Sequence, residues 1–197
     1  MNLTMKHHPL LALLVFISSI AGYVSHGAAE IAPAGSARPF TEYIAPPPID
    51  STIVGMMKTN TLGSVEARIY FVESWDITSV QKAQVLLSML AKSEPDDQRK
   101  LAHAAVKQVA NTNYGLLHQY LCNSKLPRPV LSVFMTDTLK RDNRVKMPAL
   151  LTLAQLDGHP MQAEARELLT VYLGQDHGTN WPKWEEALLA WLKQHPK

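Results

Sequence analysis

The sequence predicts an all-α fold: a short α-solenoid of antiparallel helix pairs, set behind an N-terminal hydrophobic segment and a Pro-rich linker. Three observations lead there. Apolar residues recur at helical spacing from Thr78 onward. Their stripes repeat, which marks stacked helix pairs. Prolines at Pro95, Pro127 and Pro160 punctuate the short turns, thirty-two and thirty-three residues apart.

The first element is a targeting segment, residues 1–29. Lys6 is its only charged side chain, and Leu10 to Val24 is almost wholly apolar. A basic start, an apolar stretch and a small-residue exit describe a secretory signal. Gly27 and Ala29 would flank a cleavage after Ala29, and Ser25 and Gly27 a cleavage after Gly27. An uncleaved single-pass anchor is the other reading, with the charge asymmetry placing the following domain outside the cytoplasm. The next segment, 30–50, holds Pro33, Pro39, Pro46, Pro47 and Pro48. Proline restricts itself and its predecessor, so this reads as an extended spacer. The anchored form is preferred, because a spacer serves a tethered domain; the cleaved form would be periplasmic or secreted. Pro46-Pro47-Pro48 also fits a polyproline ligand.

Residues 51–197 then form the helical-repeat domain. Its start is ambiguous. Val65, Ala67, Ile69 and Phe71 alternate as in a strand, whereas Val65, Ile69 and Val72 share a helix face. Helix is favoured because everything downstream is helical. Thr78 and Ser79 are candidate caps for a helix to about Lys92, with Ala83, Leu86, Leu87 and Leu90 on one face. Ser93 is expected to cap the next helix, with Pro95 in its first turn and Asp96 and Asp97 at the positive dipole end. That helix carries Ala102, Ala105, Val106 and Val109. Leu117, Tyr120 and Leu121 repeat the first stripe, as do Met147, Leu150, Leu151 and Ala154. Leu131, Phe134, Met135 and Thr138 repeat the second, and so do Ala165, Leu168, Leu169 and Tyr172.

From Ser93 to Val106 the chain resembles the inter-helix turn and second helix of a HEAT repeat. That family favours Pro and Asp in the turn, then Arg, then an Ala-rich apolar face. Gly158-His159-Pro160 with Ala165 to Leu169 is similar. Lys125 to Leu131 keeps the turn proline but lacks the acid and the Arg. The resemblance covers about residues 78–174. It implies stacked helix pairs and a habit of binding proteins or peptides, and it carries over no catalytic residue. Beyond it, Gly174 suits a helix C-cap. Asn180 caps a last helix, 181–194, with Trp184, Leu188, Trp191 and Leu192 on one face. A lid closing the open end of the stack is the expected role, and a tryptophan-lined binding surface the alternative. If that face is core, removing Trp191 should cost roughly 3–5 kcal/mol.

Chemistry is sparse. Net charge is +2, and without the targeting segment 18 basic residues meet 17 acidic, which is no footprint for nucleic acid. Cys122, the only cysteine, allows neither an intramolecular disulfide nor a multi-thiolate metal site. His103, His118, His159 and His177 form no zinc motif, and there is no phosphate loop, dinucleotide fingerprint or nucleophile elbow. No catalytic residue, metal or cofactor is expected. Asp176-His177-Gly178 reads as a loop. Cys122 reads as a small core residue. Cys122 with His118, one helical turn away, is the alternative basis for a small exported enzyme. One charge feature stands out: Lys140, Arg141, Arg144 and Lys146 lie within seven residues, interrupted by Asp142. They are either a solvated turn complementing a helix end or a contact for an acidic partner. The expected function is a non-enzymatic interaction or scaffold module outside the cytoplasm, held at a membrane if the leader is uncleaved.

Overall fold

A computed structural model describes residues 63–197, and every regular element among them is a helix. The targeting segment and the Pro-rich spacer lie outside the described residues, as does residue 51–62 of the expected domain. In chain order the α-helices are α1 (Val65–Ser74), α2 (Ser79–Ser88), α3 (Pro95–Val106), α4 (Gly115–Leu121), α5 (Arg128–Leu139), α6 (Asn143–Ala154), α7 (Gln162–Leu173) and α8 (Trp181–Gln194). Single 3₁₀ turns stand at Leu90–Lys92 and Asn111–Asn113.

Local chemistry accounts for most boundaries. Ser64 opens α1 by accepting from the Ala67 N–H at 3.3 Å. The helical period wins there over alternation: Val65 and Val72 are buried while Ala67 and Phe71 are exposed. Thr78 and Gln81 form a reciprocal capping box on α2, which satisfies two orphan donors. The expected helix to Lys92 breaks at Ser88 and tightens into the first 3₁₀ turn. Ser93 does not cap α3, as the sequence suggested. Its hydroxyl donates backwards to the Met89 carbonyl at 2.9 Å, and Glu94 takes the N-cap position with Pro95 next. Proline at the first helical position leaves one fewer donor to satisfy. Gly174 ends α7 at φ +77°, with its N–H donating to Thr170 O at 2.8 Å. Any side chain there would meet the left-handed penalty. Asn180 accepts from the Lys183 N–H at 3.3 Å to start α8.

The short connections make sequence neighbours antiparallel. α2 packs along α3, α4 along α5, and α6 along α7. α3 also lies against α5, and α6 against α8, so each pair reaches the next. An ion pair between Arg128 and Glu164 at 3.6 Å links α5 to α7. One continuous apolar core runs from Val65 to Leu188. Every noted stripe faces it in part: Leu86, Leu87, Leu117, Leu131, Phe134, Met147, Leu150, Ala165 and Leu169 are all buried. α6 is the central helix. Its buried positions run round the whole cylinder, as an all-round apolar helix requires.

At the C-terminal end Trp184 is fully buried, and its indole N–H donates to Gly178 O at 3.0 Å. Leu188 is buried beside it, while Trp191 and Leu192 are only half-buried. Trp191 stacks on His195 at 4.3 Å and meets Tyr172 edge-on. The tail is tied back as well: the Asn143 amide donates to the carbonyls of His195 and Lys197. These placements split the cost of removing the two rings. Urea unfolding of Trp184→Ala should show a loss of about 3–5 kcal/mol. Trp191→Ala should lose roughly 1–2 kcal/mol, below the figure expected from sequence, because part of its surface is already wet.

Candidate functional site

The basic residues picked out between α5 and α6 do not form one surface. Lys140 and Arg144 are exposed, Arg141 is largely covered, and Lys146 is buried. Lys146 comes from the all-round buried helix α6, and its ammonium lies over the Tyr172 ring, 4.7 Å from the centroid. A ring face attracts a cation held over it.

Arg141 sits where four helices meet. Its Nε donates to an Asp137 oxygen at 2.9 Å, and Nη2 forms an ion pair with the same oxygen at 2.8 Å. Nη1 donates to Val109 O at 2.6 Å and to Asn111 Oδ1 at 3.3 Å, and Nη2 reaches Val106 O at 3.4 Å. Val106 O ends α3 and also accepts from the Val109 N–H at 3.4 Å, whereas Val109 O lies in the turn beyond the helix. The guanidinium also lies 5.8 Å from the centre of the Tyr114 ring. Next to it, Asp142 at the start of α6 accepts from Asn111 at 2.7 Å. Burial raises the Asp137 carboxyl above its ordinary value, and the guanidinium offsets this only in part. The same joint holds a buried hydroxyl pair. Thr138 donates to Phe134 O at 2.8 Å, so Tyr114 must donate to the Thr138 oxygen, 2.5 Å away. Burial pushes the Tyr114 phenol up as well. Arg141→Ala would strand Asp137 and Val109 O, and should cost about 3 kcal/mol in urea unfolding. Arg141→Lys should recover little of it, because one ammonium cannot serve these acceptors together.

Cys122 and His118 do meet, with Sγ 3.5 Å from Nε2. Both are desolvated. Burial pushes the thiol up to about 12 and the imidazole down to about 4. At neutral pH this is a thiol beside a neutral ring, the reverse of an activated thiolate–imidazolium pair. The imidazole has a consequence for stability. It stays neutral in the fold down to about pH 4, whereas its ordinary value is 6.5. The unfolded chain therefore binds the additional proton between those values. The group's contribution is whole above about pH 6.5 and declines as pH falls, reaching a loss of roughly 3 kcal/mol by pH 4. Stability measured against pH for the wild type and His118→Leu should diverge in that window, with the variant showing the flatter acid limb. A parallel pair of curves would contradict the assignment.

Two grooves open on the surface. The first, about 300 Å³, lies between α3 and α5. Val106, Pro129 and Val133 supply its apolar lining. Arg99 and His103 line one rim, and Ser132, Thr136 and Lys140 the other. Lys140 is the one member of the basic group that reaches this groove. The α3 rim escaped notice in the sequence, although Arg99, His103 and Lys107 stand four residues apart, the spacing of one helix face. The second, about 520 Å³, runs along α7 past Arg166, Thr170 and Val171 to Asp176. Asp176 is occupied there. It accepts from the Gly178 N–H at 2.8 Å and from Arg166 at 3.0 Å, and both hold its carboxyl below the ordinary value. His177 meets Trp184 edge-on at 5.1 Å.

Among the described residues, no three His, Cys, Asp or Glu side chains converge in a way that would hold a metal ion. No helix among them is long and apolar enough to cross a membrane. Comparison with protein-family models, with characterised proteins and with solved structures finds no match for this chain.

Proposed function

We propose that this chain is a non-enzymatic interaction module, built as a short HEAT-like stack and presented outside the cytoplasm by its leader and Pro-rich spacer. The observation that carries the reading is the α3–α5 groove: a long, solvent-open trough with an apolar lining, on a face where the core is already complete. Successive helix pairs on one core leave such troughs for peptides and proteins. α8 fits the role of end cap, with Trp184 and Leu188 as its buried anchors. The chemistry of Cys122 speaks against the enzyme alternative, since a thiol held near 12 is a poor nucleophile at neutral pH.

The test is photo-crosslinking in the native host from the full chain. A benzophenone side chain replaces Thr136 in the groove in one strain and Asp157 in the α6–α7 turn in another. Thr136 should give a discrete adduct with a specific protein, and Asp157 none. Equal labelling from both sites, or none from either, would count against the module. The enzyme alternative has its own check. Native Cys122 should react with a thiol reagent roughly a thousandfold slower than in denaturant at pH 8. A rate close to that of the denatured chain would revive it. For location, detergent-dependent recovery of the intact chain in membranes supports the anchored form. Soluble protein beginning near Ala28 or Glu30 supports the cleaved one.

A further inference from the structure

We infer that the α3–α5 groove takes an extended acidic peptide segment of a partner protein, a specificity that rests on the interaction-module reading. The two rims are parallel ladders. On α3, Arg99 and His103 line the trough and Lys107 stands exposed one turn further on. On α5, Ser132, Thr136 and Lys140 follow at the same four-residue interval. Four residues of helix rise about 6 Å. Same-facing side chains of an extended strand recur at about 6.6 Å. Carboxylates at alternate positions of a bound segment therefore stay in step with the α3 ladder over its length. The twelve residues from Pro129 to Lys140 along the other rim span about 18 Å, room for about five extended residues.

Charge gives the sign. The titratable groups facing the trough are Arg99, His103, Lys140 and Asp137. Asp137 is held by Arg141, so at that point the lining presents a closed ion pair and not a free anion. Arg99 and Lys140 carry no ion pair among the described residues, and both are exposed. Their side chains are free to meet a ligand from opposite rims. The hydroxyl of Thr136, between them on α5, adds a donor. Val106, Pro129 and Val133 accept the apolar side chains that alternate with the acids. The fit is therefore to an alternating acidic–apolar segment, and the rims repel a basic one.

The experiment uses the full chain and a fluorescein-labelled ten-residue peptide of alternating Glu and Val. Fluorescence polarisation should show binding that weakens as salt rises. The matching Lys–Val peptide should bind at least about tenfold more weakly. The double reversal Arg99→Glu, Lys140→Glu should lower affinity for the Glu peptide by at least about tenfold. Lys183→Glu, on α8 away from the trough, should leave it within about twofold. Thr136→Trp, which fills the trough without changing charge, should also abolish binding, and unchanged melting of each variant shows that the fold survives. Equal binding of the two peptides overturns the proposal, as does an unchanged affinity after the double reversal. Preference for vesicles of anionic phospholipid over the Glu peptide also overturns it. A crosslinked partner from Thr136, with no affinity for the Glu peptide, defeats the acidic specificity while sparing the module reading. Peptide binding with the expected losses but no crosslinked partner does the reverse.

Discussion

Arg141 is the joint of this fold. A helix that ends inside a protein leaves carbonyls that need donors: α3 ends against α5 with Val106 O held only by a 3.4 Å bond from the Val109 N–H, and Val109 O follows in the turn beyond. One guanidinium supplies them and is itself neutralised by Asp137. Its planar fork is what allows a single side chain to reach α3, the turn before α4, and α5 together. Asn111 and Asp142 extend the connection to α6. The groove follows from this geometry. The C-terminal ends of α3 and α5 are fixed to each other, so their outer faces stand apart as two rims over Val106 and Val133.

A second polar tie operates at the other side of α6. Lys146 lies over the Tyr172 ring, and Tyr172 in turn meets Trp191, which stacks on His195. Asn143 draws the last residues onto the start of α6. α6 thus takes α7 and α8 on its apolar surface and pins them with two polar residues from its first turn. Three further desolvated groups, Tyr114, His118 and Cys122, lie around α4 and are neutral at pH 7, the cheaper way to keep polar atoms in a core.

The helices were legible in the sequence because burial has a period. Stripes at Leu86, Leu117, Phe134, Leu150 and Leu169 each mark a face that meets the core. The caps at Thr78, Gly174 and Asn180 were legible because each residue type has one local use. Ser93 was misread, since a serine before proline can serve the helix behind it as readily as the one ahead. The basic group was harder. Four cations in seven residues look alike in a sequence, and only the fold decides which face outward. A clue was present: Val145 to Ala154 is apolar almost throughout, so a lysine within its first turn had to be covered. For Arg141 the sequence shows only Asp137, four residues back; its other acceptors lie thirty and more residues away. The α3 ladder of Arg99, His103 and Lys107 was visible as a spacing, but its meaning depends on α5 lying alongside.

The central claim is that the Arg141 joint couples the helices before it to those after it. Native-state amide hydrogen exchange of Arg141→Ala measures this most directly. The account predicts that protection falls in α3 and at the C-terminal end of α5 together, while α6 and α7 keep theirs, so the N-terminal helices open as a separate unit. Uniform loss across all eight helices, or protection in α3 equal to that of the wild type, would contradict it.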